Sequence, residues 1–211
     1  MIEVQDIVLV SVAYLIGSIP SSVWISRYFF GKDVREFGSK NAGATNTMRI
    51  FGNKVGLIVL ILDILKGWLA VSLVCLSSYP SGSSTRIHLE VAMAISAVIG
   101  HILPIYVGFK GGKGVATTMG IIFGISPTMA LLCVAVFAIV LIVSHYVSLA
   151  SMLAILSFPI WIIIYKATHP WLMAFSILLP LVVIITHRKN ILRLLKREES
   201  ELRLFKSKGS K

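Results

Sequence analysis

The chain has 211 residues, 56% of them hydrophobic, and carries 20 Lys and Arg against 9 Asp and Glu, for a formal net charge of +11. Soluble domains sit near ~45–50% apolar by a similar count, and here the excess falls in long blocks that reach the ~20 apolar residues a membrane span requires. Composition therefore excludes a water-soluble protein and length excludes a second large domain, so one all-α polytopic membrane domain over 1–211 is expected.

The N-terminus, Met1–Asp6, is acidic where a cleavable signal peptide would be basic. A first helix is expected over 7–30. It contains Gly17-Ser18-Ile19-Pro20, which reads equally well as a small-residue packing surface or a locally unwound segment. A polar loop follows over 31–53, then a helix over 54–76 with Asn53 as its N-cap. A turn over 77–87 leads to a helix over 88–107 and a glycine-rich loop over 108–114. The next helix, 115–125, is short: eleven residues rise roughly 17 Å against a ~30 Å hydrocarbon core. It either starts earlier or forms a re-entrant hairpin with its successor, and both versions return the chain to the same side at His145. Ser126-Pro127 supplies an N-cap and a first-turn proline for a helix over 127–144. Helices over 147–165 and 170–186 follow, kinked at Pro159 and Pro180, and a polar tail ends the chain. Seven spans result. No internal repeat is visible, which weighs against a duplicated transporter architecture.

Charge orients this map. Of the 20 Lys and Arg, only Arg86 and Lys166 fall on one side, and Lys66 falls inside the membrane. All the others lie in the 31–53 loop, the 108–114 loop, the tail, or the helix ends beside them. That asymmetry puts these segments and the C-terminus in the cytoplasm and the N-terminus outside. The positive charge is thus explained by topology and anionic lipid, and no nucleic-acid-binding motif accompanies it. Cys75 and Cys133 lie in apolar runs without metal-ligand spacing and read as packing residues.

Three polar segments share the cytoplasmic side. The first runs from Gly38 to Arg49 and packs Ser39, Asn41, Thr45 and Asn46 among Gly38, Gly43 and alanines. Small residues admit a ligand close to the backbone, and the planar fork of Arg49 suits phosphate oxygens. The second, Gly108-Phe109-Lys110-Gly111-Gly112-Lys113-Gly114, follows His101 and Pro104 and has the composition of an anion-binding nest. It is not a Walker A loop: Val107 and Gly114 stand where that motif needs Gly and Ser/Thr. The third is Thr186-His187-Arg188-Lys189-Asn190-Ile191-Leu192-Arg193-Leu194, in which His187 and Asn190 share a helix face. Asp63 and Lys66, also i, i+3, are expected to neutralise each other within the membrane. His145 and His169 mark helix ends. No His, Cys, Asp and Glu cluster suggests a metal.

Taken together, these segments resemble the bacterial membrane glycerol-3-phosphate acyltransferases that use acyl phosphate as donor, the PlsY family. The matching stretches are Gly17–Pro20, Gly38–Asn46 with Arg49, His101–Pro104 with Phe109–Thr117, and Thr186–Leu194, so the resemblance covers nearly the whole chain. It implies a seven-helix protein of the bacterial inner membrane with its active site facing the cytoplasm. The reaction it implies moves an acyl group from acyl phosphate to the 1-hydroxyl of glycerol 3-phosphate. Lysophosphatidic acid and phosphate are then the products, in the first acylation step of phospholipid biosynthesis. The implied partners are the two substrates, the bilayer and an upstream enzyme that forms acyl phosphate, with no cofactor. Catalytic residues are then Ser39, Arg49, Lys113, His101 and His187. Substrate contacts fall to Asn41, Gly43, Thr45, Asn46, Lys110, Gly111, Gly112, Gly114, Thr117 and Asn190, with Glu199 holding structure.

Two positions depart from the family pattern. Lys40 replaces a glycine, which is costly if the position needs a positive φ. Arg197 replaces a second glycine, and its loss predicts a tail helix that runs further than in relatives.

Chemically, Arg49 and Lys113 would neutralise phosphate charge and stabilise a developing oxyanion, with Ser39 and Asn41 as further donors. No histidine is followed by Asp at the spacing of His-x4-Asp acyltransferases. The proton acceptor is then a substrate phosphate oxygen, His101 or His187. A covalent acyl-Ser39 intermediate is the rival route. The acyl chain would lie along an apolar groove between helices. Two other classes compete. A transporter of a phosphorylated solute would place its site at the midplane, where only Asp63 and Lys66 lie. A CDP-alcohol phosphotransferase would need clustered aspartates, and the chain has only Asp6, Asp33 and Asp63.

Overall fold

The structure, a computed structural model, describes residues 3–165 and 169–202. Lys166, assigned by sequence to the outer side, and the tail beyond Leu202 lie outside the described residues. Among the described residues there are eleven α-helices and no strand: α1 (Val4–Gly17), α2 (Ser21–Phe30), α3 (Ala44–Phe51), α4 (Asn53–Ser72), α5 (Ser84–Ile102), α6 (Val115–Ile125), α7 (Pro127–Ser144), α8 (Val147–Leu156), α9 (Phe158–Ile164), α10 (Pro170–Thr186) and α11 (Arg188–Leu195).

Local chemistry sets most boundaries. The Glu3 amide donates to the Asp6 carboxylate at 3.0 Å, closing the first turn of α1. Pro20 has no N–H to continue the ladder, so the expected first helix breaks at Ser18-Ile19-Pro20 and α2 resumes bent by 41°. Both readings of the Gly17–Pro20 stretch are realised, because a Cβ on Gly17 would also lie 2.2 Å from the Ala97 carbonyl of α5. Ser126 caps α7 by accepting the Met129 amide, with Pro127 in the first turn. Asn53 does not cap α4: it is the first helical residue, behind Gly52 at φ +89°. The 31–53 segment is not wholly loop either, since α3 fills Ala44–Phe51. The expected helix over 147–165 is divided at Ser157, two residues before Pro159, whereas α10 runs through Pro180 without a break.

Four helical stretches are long and apolar enough to cross a membrane, and six are if each bent pair counts as one span; α6 is shorter. Their outer faces carry large apolar side chains: Val143 is 78% exposed, Leu131 64% and Ile185 64%. Each would forgo ~1.5–3 kcal/mol of burial in water, and hydrocarbon removes that penalty. The protein is an integral membrane protein. α6 lies along α4 at a separation that only glycine permits. A Cβ on Gly120 would sit 1.9 Å from the Ile64 carbonyl, and one on Gly67 would sit 2.1 Å from that of Thr117. This contact fixes the first turn of α6 against α4.

Both departures from the family pattern occupy left-handed backbone. Lys40 has φ +58° and Arg197 φ +57°, a conformation in which a Cβ costs roughly 1–2 kcal/mol. The tail helix is not extended. It ends at Leu195, and Arg197 turns the chain as a glycine would, with its neighbour Glu198 donating its amide to the Arg193 carbonyl. Lys40→Gly and Arg197→Gly are each expected to stabilise the fold by about 0.5–1 kcal/mol. Thermal unfolding in detergent reads this directly, and an unchanged or lower midpoint in both variants contradicts the strain.

Candidate active site

The serine-containing loop is built around Asn46, which sits in α3 and is only 2% exposed. Its Oδ1 accepts the Ser39 amide at 2.9 Å, and its Nδ2 donates to the carbonyls of Val34, Phe37 and Asn41 at 3.0–3.1 Å. Every polar atom of this side chain is therefore occupied by the loop, and Asn46 shapes the site without an atom to offer a ligand. The hydroxyl of Ser39 and the side chains of Asn41 and Thr45 make no hydrogen bond among the described residues. α3 begins behind Gly43 with no side-chain cap, so the amides of Ala44, Thr45 and Asn46 keep no intrahelical partner.

The glycine–lysine loop folds back onto α5. The amides of Phe109, Gly111 and Gly112 donate to the carbonyls of Pro104, Ile102 and His101 at 2.9, 3.1 and 3.1 Å. The nest expected at Gly111-Gly112 is thus closed to an anion. The amides of Val115, Ala116 and Thr117, at the first turn of α6 behind Gly114, are also uncapped by any side chain. Gly112 is needed for space: a Cβ there would lie 2.2 Å from His101 Nε2 and 2.6 Å from the Ala42 carbonyl. That same contact joins the glycine–lysine loop to the serine loop.

Arg35 is a second joint, and sequence reading counted it only among the cytoplasmic charges. It pairs with Asp33 through Nε–Oδ1 at 3.0 Å and Nη2–Oδ2 at 2.8 Å, while its Nη1 donates to the carbonyls of Val107 and Lys110 at 2.9 and 3.0 Å. Hydrogen bonds from Arg35 hold the Asp33 carboxyl down at about 2, so the joint stays charged at any physiological pH.

The tail closes the arrangement. α11 leaves α10 at 64° and presents buried Asn190. Lys113 donates to Asn190 Oδ1, and Asn190 Nδ2 donates to Glu199 Oε1 at 2.6 Å. Glu199 also accepts from Ser148 at 2.9 Å and pairs with Arg193 at 2.8 Å. Burial pushes its carboxyl up, but the hydrogen bonds of Asn190, Ser148 and Arg193, with the Arg193 charge, outweigh that and leave it below its ordinary value. Arg49 donates to the Ser200 hydroxyl, and the Leu202 amide reaches the His145 carbonyl at 2.8 Å. Thr186 donates to the Lys113 carbonyl at 3.2 Å.

The three segments singled out by sequence therefore meet. Arg49, Lys113 and Asn190 are drawn together by residues 190–200, and Gly112 touches the serine loop. His187 is 2% exposed and its Nδ1 lies 2.8 Å from the Val183 carbonyl. That pairing assigns the proton to Nδ1 and leaves Nε2 as the lone-pair nitrogen. His101 lies beneath Gly112, 6% exposed, with Nδ1 3.0 Å from Thr117 Oγ1. Thr117 is fully buried, so its side chain supports His101 and does not face solvent. Lys110 extends outward and offers its carbonyl to Arg35. Ser148 and Ser200 went unnoticed in the sequence, being 51 and 151 residues from their partners. No group of three or more His, Cys, Asp or Glu able to hold a metal ion occurs among the described residues. An apolar groove of about 410 Å³ lies between α1–α2 and α4, lined by Ile16, Trp24, Ile25, Leu62, Leu65 and Leu69, with Ser21 and Lys66 also on its wall.

A family model described as glycerol-3-phosphate acyltransferase matches residues 7–197. The chain is 39% identical over 226 residues to a glycerol-3-phosphate acyltransferase of Chlorobium phaeobacteroides (strain BS1), over 93% of this chain and 96% of that one. Among solved structures it is similar to PlsY, an integral membrane glycerol 3-phosphate acyltransferase, in its glycerol 3-phosphate form. That match has a TM-score of 0.85 and 36% identity over 94% of this chain and 96% of the other. The lysophosphatidic acid form matches with a TM-score of 0.82 and 35% identity, over 94% and 95%.

Proposed function

Because the chain belongs to the glycerol-3-phosphate acyltransferase family and is an acyltransferase, we propose that it moves an acyl group from acyl phosphate to the 1-hydroxyl of glycerol 3-phosphate. Lysophosphatidic acid and phosphate are the products, and the step is the first acylation of phospholipid biosynthesis. The reaction takes place at the cytoplasmic face of a bacterial inner membrane. There one seven-span domain, N-terminus outside and C-terminus inside, holds the site. An upstream enzyme supplies the acyl phosphate.

The observation that carries this reading is the convergence of Arg49 and Lys113 on residues 190–200, beside two uncapped helix N-termini, those of α3 and α6. Two phosphorylated substrates must meet for this reaction. Two sets of free amides, each at the positive end of a helix, answer that need without a metal. Acyl phosphate is an activated mixed anhydride, so its leaving group requires charge neutralisation more than protonation. Arg49 and Lys113 supply it, and Ser39 and Asn41 add neutral donors. The glycerol 3-phosphate hydroxyl attacks the acyl carbon, the acyl–phosphate bond breaks, and the hydroxyl proton passes to a phosphate oxygen or to His187 Nε2. His101 supports Gly112 and plays no part in that transfer. Holding the two substrates in line contributes much of the rate, and the apolar groove between α1–α2 and α4 seats the acyl chain.

The test is a purified-protein assay that offers acyl phosphate, acyl-CoA and acyl-carrier protein in turn with glycerol 3-phosphate. Product from acyl phosphate alone supports the reading; product from a thioester alone overturns the donor assignment. A pH profile adds a second check. Burial is the main reason the Lys113 ammonium titrates at about 8, well below its ordinary value, with Arg193 and Arg49 pushing the same way against Glu199. The phosphate-binding cation is present below that pH and lost above it. For wild type, kcat/KM for glycerol 3-phosphate should fall as pH rises through about 8. In Lys113→Arg, whose guanidinium stays protonated, the fall should move to distinctly higher pH.

A further inference from the structure

One buried ionic group has no part in the chemistry above. Asp63 and Lys66 lie one turn apart in α4, 2.7 Å from each other, at 3% and 6% side-chain exposure. Lys66 Nζ donates at 2.7 Å to the Ile19 carbonyl at the break between α1 and α2, which otherwise accepts only the Ser21 amide at 3.1 Å among the described residues. Asp63 Oδ1 accepts from Ser21 Oγ at 3.1 Å, on the far side of the same break. On its other flank Asp63 faces His101, with Oδ1 3.9 Å from Nδ1. The His101 ring in turn abuts Gly112, whose amide donates to the His101 carbonyl, and its Nδ1 meets Thr117 in the first turn of α6. A cavity of about 10 Å³ lies between the pair and Gly111-Gly112, room for one water. The fully buried hydroxyl of Ser18, which has no hydrogen-bond partner among the described residues, lines it.

The net contribution of such a pair to stability is small, because desolvating two charges offsets most of their attraction. What the charged pair adds is direction: its hydrogen bonds point at single atoms of the break, the Ile19 carbonyl and the Ser21 hydroxyl, while the Asp63 carboxylate packs against the His101 ring at 3.9 Å. Resting on the reading of the glycine–lysine loop as a phosphate site, we infer that Asp63 and Lys66 are positioning residues for glycerol 3-phosphate. They lock the α1–α2 break against α4 and, through His101, set the height of Gly112 and the first turn of α6. The anion-binding amides of Val115 and Ala116 and the stem of Lys113 are thereby held in register. Neither side chain touches glycerol 3-phosphate, although the stem of Lys66 lines the groove assigned to the acyl chain.

The experiment uses the full-length double variant Asp63→Asn/Lys66→Met. It removes both charges together, keeps an acceptor for Ser21, and keeps an unbranched apolar stem along the acyl groove. The expected result is a thermal midpoint within a few degrees of wild type. KM for glycerol 3-phosphate should rise about tenfold or more, while KM for acyl phosphate changes by less than about threefold. A folded variant with wild-type KM for glycerol 3-phosphate overturns the positioning role. So does a parallel loss of stability and of both KM values, which marks a purely structural pair. If the variant fails to fold, Lys66→Gln and Asp63→Asn are measured singly by the same criteria. Wild-type protein run alongside separates the two readings: failure of the wild type to saturate with glycerol 3-phosphate sinks the phosphate assignment of the loop, and this proposal with it.

Discussion

Replacing Arg49 by Lys should lower kcat/KM for acyl transfer by ~10²–10³-fold, the range seen when one preorganised donor is removed from a developing oxyanion. Arg49 is in the last turn of the short helix α3, and its Nη2 donates to Ser200. A guanidinium presents a rigid planar fork to two oxygens at once, whereas an ammonium is a point charge on a flexible stem. The Lys variant retains the charge, so its loss measures the fork. Arg49→Met removes both and should lose about another tenfold. Ser200→Ala tests whether the Ser200 contact only steadies the guanidinium, in which case activity changes by no more than ~5-fold. Steady-state kinetics with both substrates distinguishes these outcomes, and an Arg49→Lys enzyme within ~3-fold of wild type would remove Arg49 from the chemistry.

Glu199→Gln should be nearly as damaging, for a different reason. The carboxylate is the hub of the tail, accepting from Ser148, Asn190 and Arg193. An amide of the same shape must turn an N–H toward one of those donors and leaves Arg193 without its counter-charge. Breaking a buried pair costs about 3–5 kcal/mol. Arg193 is 38% exposed and water screens part of that, so about 2–3 kcal/mol is expected, read as a lower melting temperature. The variant carries a second, independent signature. The charge of Glu199 raises the titration point of Lys113, so its removal should shift the alkaline limb of kcat/KM to lower pH. An unchanged midpoint together with an unchanged limb would show that the carboxylate holds nothing.

Sequence punctuation located several helices to the residue. The bounds 127–144 and 170–186 were readable because Ser126-Pro127 and Pro170 are clear starts, and 115–125 was matched although the glycines before it also admit an earlier start. The Asp63–Lys66 pairing was readable from helical spacing alone. α3 was not, because the side chains it buries, Asn46 and Thr47, are polar, and a helix that buries polar groups leaves no apolar stripe. Asn46 was taken for a ligand contact because an amide in a polar loop looks the same whether it faces substrate or its own backbone. Arg35 was counted only as a topogenic charge, since its carbonyl partners lie more than 70 residues away. The glycines of 111–112 were read as an open nest. Their need for glycine is instead steric, and their own amides are taken up by the carbonyls of Ile102 and His101. Composition cannot separate those two reasons for a glycine.

The fastening of residues 199–202 to Ser148, Asn190, Arg193, Arg49 and His145 has a consequence for biosynthesis. Lys113 meets Asn190, and through it Glu199, only after the ribosome has added 86 further residues, from 114 to 199. A nascent chain stalled before Asn190 would be threaded into the bilayer with Lys113 and Arg49 still lacking the partners that residues 190–200 supply.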